Sequence, residues 1–369
     1  MTQKIFIVLF VSVFLFSCNA PLKRFHVKNR ISVIAYYTGD GHEINKYPVE
    51  KLTHIIFSFL HLKGNKLNID SKKDTLTIKK LVELKNRFPK LKILLSLGGW
   101  GGCETCSEVF GSKKGRTEFA ESVKEVLDNF NADGIDLDWE YPAIEGFPGH
   151  PYSSADKQNF TMLVKKLREV LGDKYEISFA AGGFTKYIKN SIEWKKVMPS
   201  VDMVNVMTYD LVNGYSTVTG HHTPLYSNEK QRESVDNAVR MLDSIGVDKN
   251  KIVIGAAFYA RVWENVPDVN NGLYQSGKFK TAVNYKDFEE IFPAAEGFKY
   301  YWDKTSQAPY IYNAEAKLFA TFDNPESVKL KTQYALKNNL RGIMFWELTL
   351  DKYKNGLLDE IYKTLRFAE

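Results

Sequence analysis

The chain has 369 residues, of which 44% are hydrophobic and 25% charged, enough for one large core or a core with an appended lobe. The formal charge of +6 is mild and spread along the chain, and no basic cluster or stripe favours nucleic acid as a partner. Aromatic residues make up 14% and have flat apolar faces with polar edges, which suit a carbohydrate-binding cleft as well as a packed core.

The N-terminal segment predicts export. Lys4 provides a basic start, and residues 5–16 form an apolar run that matches a signal-peptide core and is too short to span a bilayer. The run ends in Leu-Phe-Ser-Cys, which resembles the lipobox of bacterial lipoproteins, whose cysteine is lipidated and becomes the new N-terminus. We therefore expect a signal peptide over 1–17, lipidation of Cys18 and a tether over 18–30. An ordinary cleaved signal with an incidental cysteine is the alternative.

No later stretch is long and apolar enough to predict a second membrane segment. We therefore expect the protein to attach to a membrane only through the lipid anchor, at the bacterial cell envelope or cell surface. We also expect the folded part to be a monomer.

Short β-branched and aromatic runs alternate with helical patterns along the remaining chain. The predicted strands cover residues 31–37, 53–60, 92–98, 134–140, 176–181, 203–209, 252–258 and 342–347. Apolar residues at helical spacing predict helices through 119–130, 160–171 and 235–245. Eight strands, each followed by a helix or a long loop, favour a (β/α)8 TIM barrel over a doubly wound sheet.

Cys103 and Cys106 form a C-x-x-C pair in a glycine-rich loop after the third predicted strand. A redox motif would normally open a helix in a thioredoxin-like unit, and two cysteines alone do not make a zinc site. In an oxidising compartment a local disulfide that braces the loop is the favoured interpretation, with free thiols as the alternative.

Residues 262–322 interrupt the alternation of strands and helices. They contain aromatic residues, turn residues and short runs, but no clear strand–helix unit, over a length greater than a structureless loop should have. We predict a small inserted lobe between strands seven and eight. The barrel would then comprise 31–261 and 323–369, and residues 324–338 are predicted to form a helix leading into the last strand.

The fourth predicted strand carries an unusual row of acids. Alternate side chains of a strand share a face, so Asp136, Asp138 and Glu140 should point inward and the residues between them, including Trp139, toward the helices. A structural strand would carry Val or Ile at the inward positions, and stacked like charges must raise at least one pKa. A metal site or a solvated edge strand explains the pattern less well than catalysis. Hard cations need several oxygen ligands from loops, and an edge strand would not carry the apolar opposite face.

Glu140 lies at the C-terminal end of this strand, where the active sites of such barrels are built. A carboxylic acid whose pKa is raised by burial and by Asp138 suits protonation of a leaving-group oxygen, as in glycoside hydrolysis. That chemistry usually needs a second carboxylate about 5 or 6–10 Å away, and Asp138 is poorly placed to attack the opposite face of a sugar. A nucleophile supplied by the substrate would resolve the difficulty.

At this point the chain resembles the chitinases of glycoside hydrolase family 18, over nearly its whole length after the signal peptide. The resemblance is carried by D-x-x-D-x-D-x-E from Asp133 to Glu140, S-x-G-G at 96–99 followed by Trp100, M-x-Y-D at 207–210, and Trp346 on the last strand. It implies that the predicted lobe is the family's small α+β insertion domain. It also implies chitin or chito-oligosaccharides as the substrate, and we expect neither a metal nor another cofactor.

The resemblance further implies a substrate-assisted retaining mechanism, in which the N-acetyl oxygen attacks the anomeric carbon and forms an oxazolinium intermediate. Glu140 would protonate the glycosidic oxygen and then act as base toward water. Asp138 would accept a hydrogen bond from the acetamido N–H and share a proton with Asp136. Tyr209 would position the acetamido carbonyl, with Asp210 tuning the same region.

Several further side chains are implied as substrate contacts by the same resemblance. Trp346 would lie under the cleaved sugar, and Trp100 on the leaving side. The remaining members of this set would be Tyr36 and Phe59 at wall positions, Arg261 at the edge of the insertion, and Met207 packed beneath the acids. Plain barrel core is the alternative for Tyr36 and Phe59.

Two other functions remain open: a chitin-binding lectin that shares the fold but has lost the acid, and an endo-β-N-acetylglucosaminidase acting on N-glycans. The acids disfavour the lectin, and the predicted lobe disfavours the endo-β-N-acetylglucosaminidase. His221 and His222 are interpreted as loop structure or a rim contact, and His54 as a core residue with satisfied hydrogen bonds.

Overall fold

The structure, a computed structural model, describes residues 31–367; the predicted signal peptide, Cys18 and the tether lie outside the described residues. The strands are β1 (Ser32–Tyr37), β2 (His54–Lys63), β3 (Lys66–Asn68), β4 (Lys92–Gly98), β5 (Gly134–Asp138), β6 (Glu176–Gly182), β7 (Met203–Met207), β8 (Ile252–Ala257), β9 (Tyr259–Glu264), β10 (Lys278–Asn284), β11 (Lys299–Asp303), β12 (Ala308–Asn313), β13 (Leu318–Thr321) and β14 (Gly342–Trp346). The α-helices are α1 (Lys72–Glu83), α2 (Cys106–Gly111), α3 (Lys113–Phe130), α4 (Asp156–Leu171), α5 (Thr185–Asn190), α6 (Trp194–Val197), α7 (Val235–Ser244), α8 (Phe288–Ile291), α9 (Pro325–Lys337) and α10 (Leu357–Phe367).

Within the described residues, eight parallel strands close into a barrel. Their order is β1, β14, β8, β7, β6, β5, β4 and β2, and a parallel pairing of β1 with β2 completes the ring. All eight correspond to predicted strands, which confirms the (β/α)8 barrel. The last residues of β2 extend beyond the barrel as an antiparallel hairpin with β3, which was not predicted.

The predicted helices form because one face of each is apolar, and three of them, α3, α7 and α9, begin at a side chain that caps the helix. Ser112 accepts a hydrogen bond from the Gly115 N–H at the start of α3, and Asn324 caps α9, whose first residue is Pro325. Trp139 packs outward between the rings of Phe110 and Phe160, at centroid distances of 5.6 and 6.4 Å. The outward direction predicted for Trp139 by strand parity is therefore confirmed.

A second sheet lies between β8 and β14 in the chain. Within residues 31–367 its five strands are antiparallel in the order β10, β9, β13, β12, β11, and α8 follows β10. It is a small α+β insertion between barrel strands seven and eight. Its first strand begins at Tyr259, three residues before the predicted boundary, so Arg261 belongs to the insertion rather than to the barrel.

Every helix among the described residues is too short or too polar to cross a bilayer.

Candidate active site

Strand register brings a set of inward polar side chains together around Asp136. Asp136 pairs with Ser96 of β4 on one side and with Ser178 of β6 on the other. Its Oδ2 accepts hydrogen bonds from Ser96 at 2.8 Å and Tyr36 at 3.1 Å, and its Oδ1 from Ser178 at 2.6 Å and Asn205 at 3.2 Å. Burial raises the pKa of Asp136, and these hydrogen bonds oppose the rise.

Sequence reasoning missed Ser178 and Asn205 as partners of Asp136. Each is a polar residue flanked on both sides by apolar residues within a barrel strand, Ile-Ser-Phe in β6 and Val-Asn-Val in β7. A lone polar group at an inward position needs a hydrogen-bond partner inside the barrel, so this was a usable signal.

Asp138 occupies the next inward position and has different surroundings. Its Oδ1 is buried without a hydrogen-bond partner among the described residues. Burial raises the pKa of Asp138 well above its usual range, and the charges of Glu140 and Asp136 raise it further. The structure has no hydrogen bond between Asp136 and Asp138 within residues 31–367, so the proton shared by the two acids stays a prediction. A neutral Asp138 with an unengaged oxygen can accept a hydrogen bond from a ligand N–H.

Glu140 lies just beyond the end of β5, where it is partly exposed. Burial of the carboxyl group raises the pKa of Glu140 to about 7, with a further contribution from the charge of Asp210, while hydrogen bonding to Tyr141 opposes the shift. Near neutral pH such a group is present in both protonation states. It can therefore donate a proton in one step and accept one in the next.

Tyr209 and Asp210 follow β7 rather than lying within it, because this strand ends at Met207. Tyr209 is buried and its hydroxyl lies 3.9 Å from the Met344 sulfur. Both residues therefore project from the carboxyl end of the barrel, beside Glu140.

Asp210 forms a two-point ion pair with Arg261, whose Nε and Nη2 donate at 2.8 and 2.6 Å. Burial acts to raise the pKa of Asp210, but the nearby His222 ring, the two hydrogen bonds from Arg261 and the Arg261 charge hold that pKa well below its usual range. Arg261 lies on β9, so this pair ties the insertion to the end of β7 and keeps a negative charge near Glu140.

Aromatic side chains form two groups at this end of the barrel. Trp346 stacks on Phe59 at a centroid distance of 5.4 Å and lies 5.7 Å from Tyr36. Met207 is buried in the interior cluster that also contains Tyr36 and Tyr209. Trp346 and Phe59 are partly exposed and form a stacked floor that suits a flat apolar ligand face, whereas Tyr36 is buried in the barrel interior, as in the alternative of plain barrel core.

The second aromatic group is more exposed. Trp100 is 46% exposed and packs against Phe147 and Tyr141 at centroid distances of 5.6 and 6.3 Å. Tyr215 lies 6.2 Å from Trp100 and is 65% exposed. Sequence reasoning did not single out Tyr215, which lies in the long segment between β7 and α7. Because Tyr141 adjoins Glu140, this group continues the site on the side of the acid.

Position 99, in the loop after β4, can be occupied only by glycine without strain. This residue has φ of 83°, and a Cβ atom there would come within 3.0 Å of the Phe59 ring. Cys103 of the same loop forms a disulfide with Cys106, the first residue of α2, which confirms the predicted bridge. Together these features support the loop that carries Trp100.

The histidines have specific partners. His54 hydrogen-bonds Glu176 at 3.1 Å, which confirms its interpretation as a satisfied core residue. His221 and His222 lie in the loop between β7 and α7, which confirms the interpretation as loop structure, and their full burial rules out the alternative of a rim contact. Both histidines contact the insertion: the Nε2 of His221 lies 3.0 Å from Asp303, and the His222 N–H donates to the Thr321 hydroxyl at 3.2 Å. Outside the insertion, the Nδ1 of His222 lies 3.6 Å from Asp210.

Among the described residues, no three His, Cys, Asp or Glu side chains converge as possible ligands of a metal ion.

Comparison with known proteins identifies the family. The chain matches the family "Glycosyl hydrolases family 18" over residues 32–351. It is 35% identical to Chitinase A1 of Niallia circulans over 75% of this chain and 43% of that protein, so it spans less than half of that relative's length. It is 26% identical to Chitinase B of Serratia marcescens, covering 93% and 85% of the two chains.

A solved structure has the same fold. The family 18 N-acetylglucosaminidase of Paenibacillus barengoltzii superposes with a TM-score of 0.82 at 36% identity, covering 91% of this chain and all of that one. The barrel, the acidic strand and these matches agree. The chain belongs to glycosyl hydrolase family 18.

Proposed function

We propose that this protein is a chitinase that hydrolyses β-1,4-linked N-acetylglucosamine polymers, chitin or chito-oligosaccharides, with retention of configuration. The observation that carries the proposal is the Glu140 carboxyl group, whose pKa is raised to about 7 at the open end of the barrel. It is the right acid for protonating a glycosidic oxygen. Asp138, two residues earlier, has a buried oxygen without a partner among the described residues, and this oxygen suits an acetamido N–H.

The proposed reaction has two steps. In the first, the acetamido oxygen of the substrate bonds to the anomeric carbon while the glycosidic bond breaks and its oxygen takes the proton of Glu140. In the second, water attacks the anomeric carbon of the oxazolinium intermediate, the bond from that carbon to the acetamido oxygen breaks and restores the acetamido group, and Glu140 takes a proton from the attacking water, which restores the acid. Tyr209 would hold the acetamido carbonyl, and Asp138 the N–H. This scheme needs no second carboxylate on the opposite face of the sugar.

Substrate binding would use both aromatic groups. Trp346 and Phe59 suit the face of the sugar that is cleaved, with the buried Tyr36 packed against Trp346, and Trp100 suits a sugar on the leaving side. The presence of the acids supports an enzyme over a lectin. The insertion, which adds a wall beside Asp210, supports a chitin-type chain over an N-glycan.

A second candidate is the release of single N-acetylglucosamine units. The observation that favours it is the 36% identity to the Paenibacillus N-acetylglucosaminidase over the full length of that structure.

Product analysis would test these proposals. Chito-oligosaccharides labelled at the reducing end are incubated beside an N-glycan, and the first products are followed by mass and by the anomeric NMR signal. We expect cleavage of the chito-oligosaccharides with β-anomeric products. Release of single sugars alone would favour the second candidate, hydrolysis of the N-glycan alone would overturn the chitin proposal, and binding without hydrolysis would support a lectin.

We also propose that the protein is a lipid-anchored monomer of the bacterial cell envelope, on the basis of the motif that ends at Cys18. A labelled fatty acid should enter the full chain expressed in a bacterial host and should be absent from the Cys18→Ser variant. Equal labelling of both chains would contradict the anchor. Light scattering on the purified Cys18→Ser variant tests the monomer.

A further inference from the structure

Helix α9 contains a lysine that is completely buried. Lys331 pairs with Asp323 at 2.6 Å, and neither side chain is exposed. A buried ion pair must overcome the loss of hydration of both charges, and an apolar pair of similar volume is often no less stable. Stability of the fold alone therefore does not explain why Lys331 and Asp323 are paired in the interior.

The two charges connect elements that are distant in the chain. Asp323 Oδ2 accepts a hydrogen bond from the Ala257 N–H at 2.9 Å, at the end of β8, and Oδ1 accepts one from Ser327 at 2.6 Å. Lys331 also donates to the hydroxyl of Thr223, which lies on the segment between β7 and α7.

Thr223 links the buried ion pair to the backbone that precedes Tyr209. Its hydroxyl donates to the backbone carbonyl of Thr208 at 3.0 Å, and that carbonyl belongs to the peptide bond preceding Tyr209. The Thr208 side chain is held in turn by β8, because its hydroxyl donates to the Gly255 carbonyl at 2.8 Å and accepts from the Gly255 N–H at 2.9 Å. The backbone that presents Tyr209 and Asp210 is therefore held from both sides.

We propose that Lys331 is a positioning residue for the reaction, acting through Thr223 and the Thr208 carbonyl to hold Tyr209 in place. The inference rests on the proposed function, because it assigns Lys331 a part in presenting Tyr209 to the substrate acetamido group. Lys331 touches no reacting atom and acts only through this chain of hydrogen bonds. Its loss should therefore lower kcat more than it raises KM, since the orientation of Tyr209 matters most as the acetamido oxygen attacks.

Thr223 allows a sharper test than Lys331, whose replacement could leave Asp323 buried without a partner and prevent folding. Thr223→Val keeps the shape of the side chain and removes the hydroxyl, whereas Thr223→Ser keeps the hydroxyl. The matched control is Thr332→Val: this buried threonine also donates to a backbone carbonyl, that of Val328 at 2.8 Å, but only within α9.

The variants are compared by thermal unfolding and by kcat and KM on a chromogenic chito-oligosaccharide. We expect Thr223→Val to lower kcat by about tenfold, the equivalent of one hydrogen bond of about 1.4 kcal/mol, with KM changed less than threefold. Thr223→Ser should retain most of the activity, and Thr332→Val should lower the unfolding temperature while leaving kcat unchanged.

The double variant Lys331→Met with Asp323→Asn removes the pair without leaving a buried charge and should lower kcat in the same way. Wild-type kcat in folded Thr223→Val, or an equal loss in Thr332→Val, would overturn the positioning role. Failure of the unchanged protein to hydrolyse the substrate would instead overturn the proposed function, so the two failures are distinguishable.

Discussion

The carboxyl groups of Asp138 and Glu140 are electrostatically linked. After burial, the charge of Glu140 is the strongest influence that raises the pKa of Asp138. The two groups therefore favour states in which at most one of them is ionised. This is the electrostatic requirement of a cycle in which Glu140 first gives up a proton and later takes one back.

Glu140→Gln should remove turnover while leaving ligand binding. The amide has the shape of the acid but no proton of suitable pKa, so we expect kcat to fall by about 10²–10⁴-fold, the usual contribution of a general acid. Steady-state kinetics and calorimetric titration with a chito-oligosaccharide measure the two properties. Glu145→Gln, an exposed acid on the following loop, is the control and should match the unchanged protein. Full activity in Glu140→Gln would disprove its role as the acid.

The activity should fall as the pH rises through about 7, because Glu140 must be protonated to act and its pKa is raised to about 7. The charge of Asp210 contributes to that pKa. Asp210→Asn removes this charge, so the pKa of Glu140 should drop and the decline of kcat/KM should move to lower pH. A pH profile of kcat/KM measures the shift, and movement toward higher pH would contradict it.

The same acid should make stability depend on pH. In the unfolded chain Glu140 ionises near 4.5, whereas in the folded protein its pKa is about 7, so the folded state is progressively disfavoured as the pH rises between these values. Glu140→Gln removes this effect. We expect the variant to be more stable than the unchanged protein at pH 8 by about 1–3 kcal/mol, reduced because the group is partly exposed, and equal to it at pH 4. Unfolding temperatures at both pH values provide the test; a larger difference at pH 4 would contradict the linkage.

Gly99→Ala should disrupt the aromatic floor. The added Cβ atom meets the Phe59 ring, which stacks on Trp346. The control is Gly149→Ala, which has the same kind of backbone with φ of 86° but no atom within 4 Å of the new Cβ. Both should lose about 1 kcal/mol of stability from backbone strain. Gly99→Ala should lose about 1–3 kcal/mol more from overpacking and raise KM. Equal effects of the two changes would show that the contact with Phe59 is unimportant.

Arg261→Lys should weaken the link between the insertion and Asp210. Lysine keeps the charge but cannot reproduce the two-point contact of the guanidinium group with Asp210. We expect kcat/KM to fall by about tenfold, in line with one lost charge-assisted hydrogen bond. Arg240→Lys, an exposed arginine paired with Asp236, is the control and should have no effect. Unchanged kcat/KM in Arg261→Lys would show that a point charge beside Asp210 is sufficient.

Local pattern was enough to determine much of this protein. The period of two along residues 134–140 placed Asp136 and Asp138 on the inward face and Trp139 on the outward one, because that alternation depends only on neighbouring residues. Eight apolar runs separated by helical patterns were enough to predict the barrel, because each run and each helical pattern is also a feature of neighbouring residues. The missing strand–helix unit indicated the insertion, although its first strand begins earlier, at Tyr259.

The ends of the strands were predicted less well than their centres. As a result, two site residues were assigned to strands although they lie outside them. Glu140 and Tyr209 were placed within strands, but both lie just beyond one, because a strand ends where its neighbours stop pairing. Strand pairing depends on the neighbouring strands and cannot be predicted from the local sequence pattern.

Only the tertiary structure decided which residues surround each acid. The hydrogen-bond partners of Asp136 lie between 40 and 100 residues away along the chain. The pKa of Glu140 depends on burial and on the charge of Asp210, a residue that follows a different strand, β7. His222 is buried beside Asp210 only because the insertion covers it. Burial and charge act through space and not along the chain. The sequence by itself therefore determined which acids lie on the inward face and at the end of one barrel strand, while the closure of the barrel decided the surroundings that set the pKa of each acid.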